Sequence, residues 1–343
     1  MREGRTSVPD RIAPGATVVP TRSPLHLAFV NSMPDGAFEE TEQQFLALLG
    51  LDLGGAGGGP AVDLRRYAPE ERRASSEIPT GVRRRYAPAD ALFATSPDAV
   101  VVTGCEPGAG RVQDESLWPL LARIFEWAPA ATASLWLACL AAHAALAYFD
   151  GLDRRSLPAK ASGVLPQEVT AGDPLTAGLP AQVAIPHSRL NEVPTPALVA
   201  AGYRLAIASS STGWTVATGR RGRCALVLVQ GHPEYRADTL LREYRRDVRR
   251  WLKRERDDYP PVPSGYLDDA AEARFAAFRR RAQAGPRTAY LMEEFPFAEE
   301  AARLEAPWLP VAATLGRNWL STLAGGDGPG GNGRAPEVPI AAS

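Results

Sequence analysis

Strand-length apolar runs separated by amphipathic stretches organise this chain. Residues 25–30 (Leu-His-Leu-Ala-Phe-Val) and 98–103 (Asp-Ala-Val-Val-Val-Thr) are nearly unbroken apolar segments. Residues 132–138 form another, and 182–185, 204–209, 214–218 and 224–229 supply four more, with a short candidate at 62–64. Between them apolar positions recur at helical spacing over 39–49, 117–127, 140–149, 239–251 and 268–282. A last structured piece within 287–323 ends at Asn318-Trp-Leu320. Strands that are apolar on both faces and alternate with helices predict a sheet covered on each side. The expected fold is therefore α/β: a mostly parallel, doubly wound, flavodoxin-like sheet. In such a sheet ligands sit beyond the carboxyl ends of the strands.

The pattern weakens at both ends and once inside. Residues 1–23 read as an N-terminal arm, 24–323 as one domain, and the Gly/Pro/Ala-rich 324–343 as a disordered tail. Residues 50–60 are a Gly-rich loop without the Lys-Ser/Thr of a phosphate-binding loop, and read as a flexible insertion. Hydrophobic residues make up 45% of the 343 and charged residues 22%, enough to bury a core. The formal net charge of −1 gives no global field for nucleic acid or an anionic membrane, so neither is an expected partner. The first ten residues lack a signal peptide's apolar core and no apolar run could span a bilayer, so a cytoplasmic setting is expected. Three widely spaced cysteines suggest neither a metal site nor a disulfide framework. Lysine occurs only at Lys160 and Lys253 in a chain that otherwise uses arginine, which singles out Lys160.

Candidate chemistry gathers at two strand ends. Cys139 follows the run 132–138 and opens an Ala-rich helix. That junction raises a side chain above the sheet at the helix end that favours a thiolate. The N–H of Leu140, first in its helix, is free for a developing oxyanion. The run 224–229 ends in Gln230-Gly-His-Pro-Glu-Tyr235, which brings His232 over the same edge, with Glu234 placed to hold its imidazole tautomer. Nucleophile, base and orienter are then all present.

Cysteine at a strand–helix elbow with Gly-His-Pro-Glu resembles the class I glutamine amidotransferase fold. More closely, the chain resembles homoserine O-succinyltransferases and O-acetyltransferases. The matching stretches include Asn31-Ser-Met-Pro34, Thr41-Glu-Gln-Gln-Phe45, Val102-Thr-Gly104, Trp118-Pro119, Lys160-Ala-Ser-Gly-Val164, Pro186-His-Ser-Arg189, Gly231-His-Pro-Glu-Tyr235 and Asn318-Trp-Leu320. They keep the family's order over residues 24–323. The resemblance implies Cys139 as acyl acceptor, His232 as general base and Glu234 as its partner. It implies Arg246 as clamp for the amino-acid carboxylate, Ser188 and Arg189 lining the same pocket, and Lys160 and Glu243 flanking it. The implied reaction is a ping-pong acyl transfer from succinyl-CoA or acetyl-CoA to L-homoserine in methionine biosynthesis, with no bound cofactor, no metal and a homodimeric enzyme. A glutamine amidotransferase or hydrolase, a serine-type acceptor and an inactive binding protein are the competing readings.

The loop Gly104-Cys-Glu-Pro-Gly108 departs from the family's Gly-Ala-Pro, and Leu140 and His143 stand where an aromatic and a glutamine are expected. In the family a Gly or Glu in this loop separates succinyl from acetyl users. Gly108 at that position favours succinyl. Glu106 could oppose it, but the following Pro107 biases the backbone to extended geometry, and the carboxylate is expected to turn away from the pocket.

Overall fold

A computed structural model describes residues 23–52, 60–108 and 110–325. The expected arm, tail and Gly-rich loop lie outside these residues except at their inner ends. Ten strands form one sheet: β1 (Leu25–Val30), β2 (Val62–Ala68), β3 (Tyr86–Pro88), β4 (Ala99–Val102), β5 (Ser134–Ala138), β6 (Arg155–Val169), β7 (Gln182–Glu192), β8 (Arg204–Ser209), β9 (Gly213–Arg221) and β10 (Cys224–Val229). Their order is β3-β2-β1-β4-β5-β10-β9-β8-β6-β7. The first six are parallel, as the apolar runs predict, and β5 and β10 lie side by side in register, Ala138 opposite Val229. The remaining four continue the sheet from β10, each antiparallel to its neighbour.

This antiparallel extension was only half legible. β9 and β10 are joined through Gly222, whose φ of +54° suits a tight return. The fifteen-residue β6 contains two prolines and a glycine, and most of its positions are exposed or half-exposed, so its sequence has the composition of a loop. Its pairing with β7, not its own propensity, makes it a strand.

Helices cover both faces of the parallel half. Along β5, Leu135 and Leu137 enter one core and Trp136 and Ala138 the other, as a two-residue period requires. The first core is closed by helices Trp118–Ala131 and Leu140–Asp150, the second by Asp35–Leu48 and Leu309–Gly325. Trp319 of the last helix packs edge-on against Trp136 and donates its indole N–H to Ser134 Oγ at 3.0 Å. Helix Leu140–Asp150 is buried along nearly its whole length, and its alanines let it lie close on the strands.

A third apolar cluster fixes the helix that carries most of the site's charges. In Thr239–Leu252, the residues Leu241, Tyr244, Val248, Trp251 and Leu252 recur at helical spacing and pack against Phe275, Phe278 and Phe295. The neighbouring stripe Glu243, Arg246, Asp247 and Arg250 follows the same i, i+3, i+4, i+7 rule and is turned to a cavity beyond the sheet's carboxyl edge.

Candidate active site

Cys139 occupies the tight turn between β5 and its helix at φ 48°, ψ −107°. Among the described residues only Arg254 shares positive φ without being glycine. Such geometry costs about 1–3 kcal/mol and persists where its surroundings over-determine it. Here they do: the Cys139 N–H donates to Val229 O at 2.7 Å, and the Cys139 carbonyl accepts from Ala142 and His143. Gly104 lies directly behind. A Cβ there would stand 3.1 Å from Ala138 O and 3.3 Å from both Cys139 Cβ and Leu140 N. The Gly104 loop can therefore approach the elbow and the Leu140 N–H only without a side chain. Gly104→Ala is expected to lower kcat by about tenfold or more, the scale of a disturbed oxyanion donor, while thermal unfolding moves by only a few degrees. An unchanged kcat would detach Gly104 from the reaction.

β10 delivers the partner residues. The Gln230 N–H bonds to Thr215 O at 2.8 Å and the His232 N–H to Pro186 O at 2.7 Å, anchoring this turn to β9 and β7. His232 Nδ1 and Glu234 Oε1 are 2.8 Å apart, and Tyr235 stacks on the imidazole with centroids 4.3 Å apart. Both His232 and Glu234 are buried. Burial alone would lower the imidazole's pKa, but the Glu234 carboxylate, with the neighbouring Cys139, holds it well above the ordinary value. His143, buried behind the elbow, is a different case. Its Nε2 lies 2.9 Å from Gln230 Oε1, and burial lowers its pKa to about 4, so it remains a neutral structural link.

A charged network continues from Tyr235 around the rim of a cavity of about 680 Å³. The Tyr235 hydroxyl donates to Glu243 at 2.7 Å, and Ser188 Oγ donates to the other oxygen of the same carboxylate. Lys160 Nζ reaches Asp247 at 2.9 Å and Glu243 at 3.3 Å, and Arg246 Nε lies 3.3 Å from Asp247. Burial would raise both acids, but Lys160 foremost among the neighbours pulls each below the usual carboxylate range. These lowered values fix the sign of an acid effect. The two carboxylates stabilise the fold above their ordinary pKa of about 4, and that contribution is lost as pH falls through the lowered values. Lys160→Met leaves buried Glu243 without its ammonium partner and Asp247 with Arg246 alone. We expect a loss of about 2 kcal/mol at neutral pH and an acid-unfolding midpoint moved to higher pH by circular dichroism. An unmoved midpoint would show that Lys160 does not hold these acids.

Arg189 is nearly buried, its guanidinium bonded to Asn191 O at 3.1 Å and Thr212 O at 2.6 Å, and it lines the same cavity. The structure thus brings Cys139, His232, Glu234, Lys160, Ser188, Arg189, Glu243, Arg246, Gly104, Glu106 and Leu140 to one cavity, and leaves Gly108 out. The Gly108 N–H is held by Glu115 at 3.0 Å, and Glu115 is itself clamped by the buried Arg154. Glu106 also differs from expectation. It lines the cavity, with its carboxylate on Arg250 at 2.6 and 3.2 Å and 4.0 Å from Arg246. Pro107 restricts the backbone of Glu106 but does not overcome the pull of two guanidiniums. Arg250, Asp247 and Arg154 also line the cavity and are not among the residues singled out from the sequence. The helical spacing from Glu243 through Asp247 to Arg250 was the available signal; nothing local marked Arg154.

A cysteine at the elbow after β5, with a histidine and a glutamate from the turn after the adjacent parallel β10, is an arrangement suited to nucleophilic chemistry at the edge of an α/β sheet. The chain belongs to the homoserine O-succinyltransferase family, whose sequence model matches residues 17–325. It is 41% identical over 305 residues to a homoserine O-succinyltransferase of Methylorubrum extorquens, covering 89% of each chain. It is 38% identical over 301 residues to that of Rhodopseudomonas palustris, covering 88% of each. Among solved structures, a glutamine amidotransferase from Thermotoga maritima aligns with 88% of this chain and 99% of its own at 13% identity and a TM-score of 0.40. Among the described residues no helix is long and apolar enough to cross a membrane.

Proposed function

We propose that this enzyme transfers a succinyl group from succinyl-CoA to the hydroxyl of L-homoserine through a thioester on Cys139, a step of methionine biosynthesis in the cytoplasm. The observation that carries the reading is Cys139 held at φ 48° beside the buried His232–Glu234 pair. The Cys139 thiolate attacks the donor's thioester carbonyl, and the oxyanion is met by the Leu140 N–H and an N–H of the Gly104 loop. Collapse breaks the bond to CoA sulfur, which takes the proton held by His232. Homoserine's hydroxyl then gives its proton to the neutral imidazole and attacks the Cys139 thioester. Collapse of this second intermediate releases O-succinylhomoserine and restores the thiolate–imidazolium pair. Arg246 clamps the amino-acid carboxylate as a planar donor.

Intact-mass measurement after mixing with succinyl-CoA alone tests the reading. A single succinyl adduct on Cys139, discharged by added homoserine, is the expected result. CoA release only when both substrates are present would exclude a ping-pong route. Glutamine hydrolysis without any acyl adduct would favour an amidotransferase instead.

A further inference from the structure

Three cations at the cavity rim, Lys160, Arg246 and Arg250, each face an anion of the chain itself among Glu243, Asp247 and Glu106. A substrate carboxylate taken up by one of these three must displace such an anion. The anions are not equally displaceable. The Glu243 and Asp247 side chains are 17% and 8% exposed and carry several bonds each, whereas Glu106 is 43% exposed, hydrogen-bonded only to Arg250, with Arg246 at 4.0 Å. Exposed pairs of this kind contribute little to stability, so Glu106 is the anion that can yield.

The proposed reaction, on which this inference rests, requires room for two carboxylates at once. When homoserine binds, the succinyl group is already on Cys139 with its distal carboxylate in the cavity. Arg246, anchored to Asp247, can serve only one of them. We propose that Arg250 binds the distal carboxylate of the succinyl donor, and that Glu106 occupies this guanidinium as a displaceable stand-in until the donor arrives. The fit is chemical: Glu106 already presents a carboxylate to Arg250 in the two-pronged geometry a succinyl group would use. Donor choice then depends on Arg250 and on the loop that carries Glu106.

The test is the ratio of kcat/KM for succinyl-CoA to that for acetyl-CoA. Arg250→Gln should lower this ratio about tenfold, the scale of a charge-assisted hydrogen bond, and Arg250→Lys should restore part of it. Glu106→Gln, which removes the competitor, should lower KM for succinyl-CoA more than for acetyl-CoA. Arg250 is half-exposed on a well-packed helix, so these variants are expected to fold, with thermal unfolding as the check. An equal loss with both donors would overturn the proposal and make Arg250 a contact to the CoA phosphates. An unchanged ratio in both the Arg250 and Glu106 variants would overturn it too. Wild-type protein that forms no acyl adduct with either donor would instead sink the functional reading beneath it.

Discussion

Cys139→Ser is expected to reduce acyl transfer below a few per cent of wild type while leaving the fold in place. Serine fits the same turn, keeps the N–H to Val229 and is smaller by little, so thermal unfolding should move by no more than a few degrees. The loss is chemical. A hydroxyl beside His232 is scarcely ionised at neutral pH, whereas a thiol is readily converted to a strong nucleophile. Cys139→Gly separates the strain from the chemistry. Glycine adopts φ 48° freely, which relieves about 1–3 kcal/mol of strain; the greater entropy of an unfolded glycine offsets about 0.5–1 kcal/mol of that. The glycine variant should therefore be inactive yet slightly more stable than wild type. Serine-dependent turnover above a few per cent would remove Cys139 as acyl acceptor, and a less stable glycine variant would show that the elbow is not strained.

The legible part of this protein is the part in which one physical requirement dominates each position. Strands β4, β5 and β10 are buried on both faces, so their sequences are apolar without interruption and their ends can be found. Cys139 and His232 follow two of those ends, and adjacency of β5 and β10 then brings them together. Strand β6 illustrates the opposite. Its polar residues and prolines pair with the edge strand β7 and line the cavity at once, and neither demand leaves a simple period. Lys160 stands out on this strand because lysine is rare in the chain and because the stretch 160–164 resembles the family; its partners Glu243 and Asp247 come from a helix more than eighty residues away.

The Gly104 loop was misread for a related reason. A proline after Glu106 is a local restraint, but the side chain's direction is set by Arg250, 144 residues on. Gly108 is exposed and off the cavity, its N–H held by Glu115, which Arg154 clamps from a distant part of the chain. Backbone position was predictable from neighbouring residues; electrostatic partners were not.

His232→Ala is expected to lower kcat/KM by about 10²–10⁴, the range of a positioned general base, and Glu234→Gln to lower it less. The two variants also differ in their pH behaviour. Burial opposes the imidazolium, and Glu234 is the first of the groups that outweigh it. With glutamine the ring keeps a hydrogen-bond partner but loses the opposing charge, so its pKa must fall from its raised value. The resting imidazolium is then lost at lower pH, and the range over which Cys139 is rapidly acylated should move down with it. Stability follows the same sign. A histidine whose folded pKa lies above its unfolded value of about 6.5 stabilises the fold fully below that pH and loses the contribution as pH rises through the folded value. Glu234→Gln should remove most of this stabilisation, so its deficit against wild type should be largest in mild acid and shrink towards alkaline pH. NMR titration of the His232 ring and stopped-flow acylation across the same pH range provide the measurements. If the ring titrates unchanged in Glu234→Gln, the carboxylate does not sustain the charged imidazole, and its part in the reaction is limited to orientation.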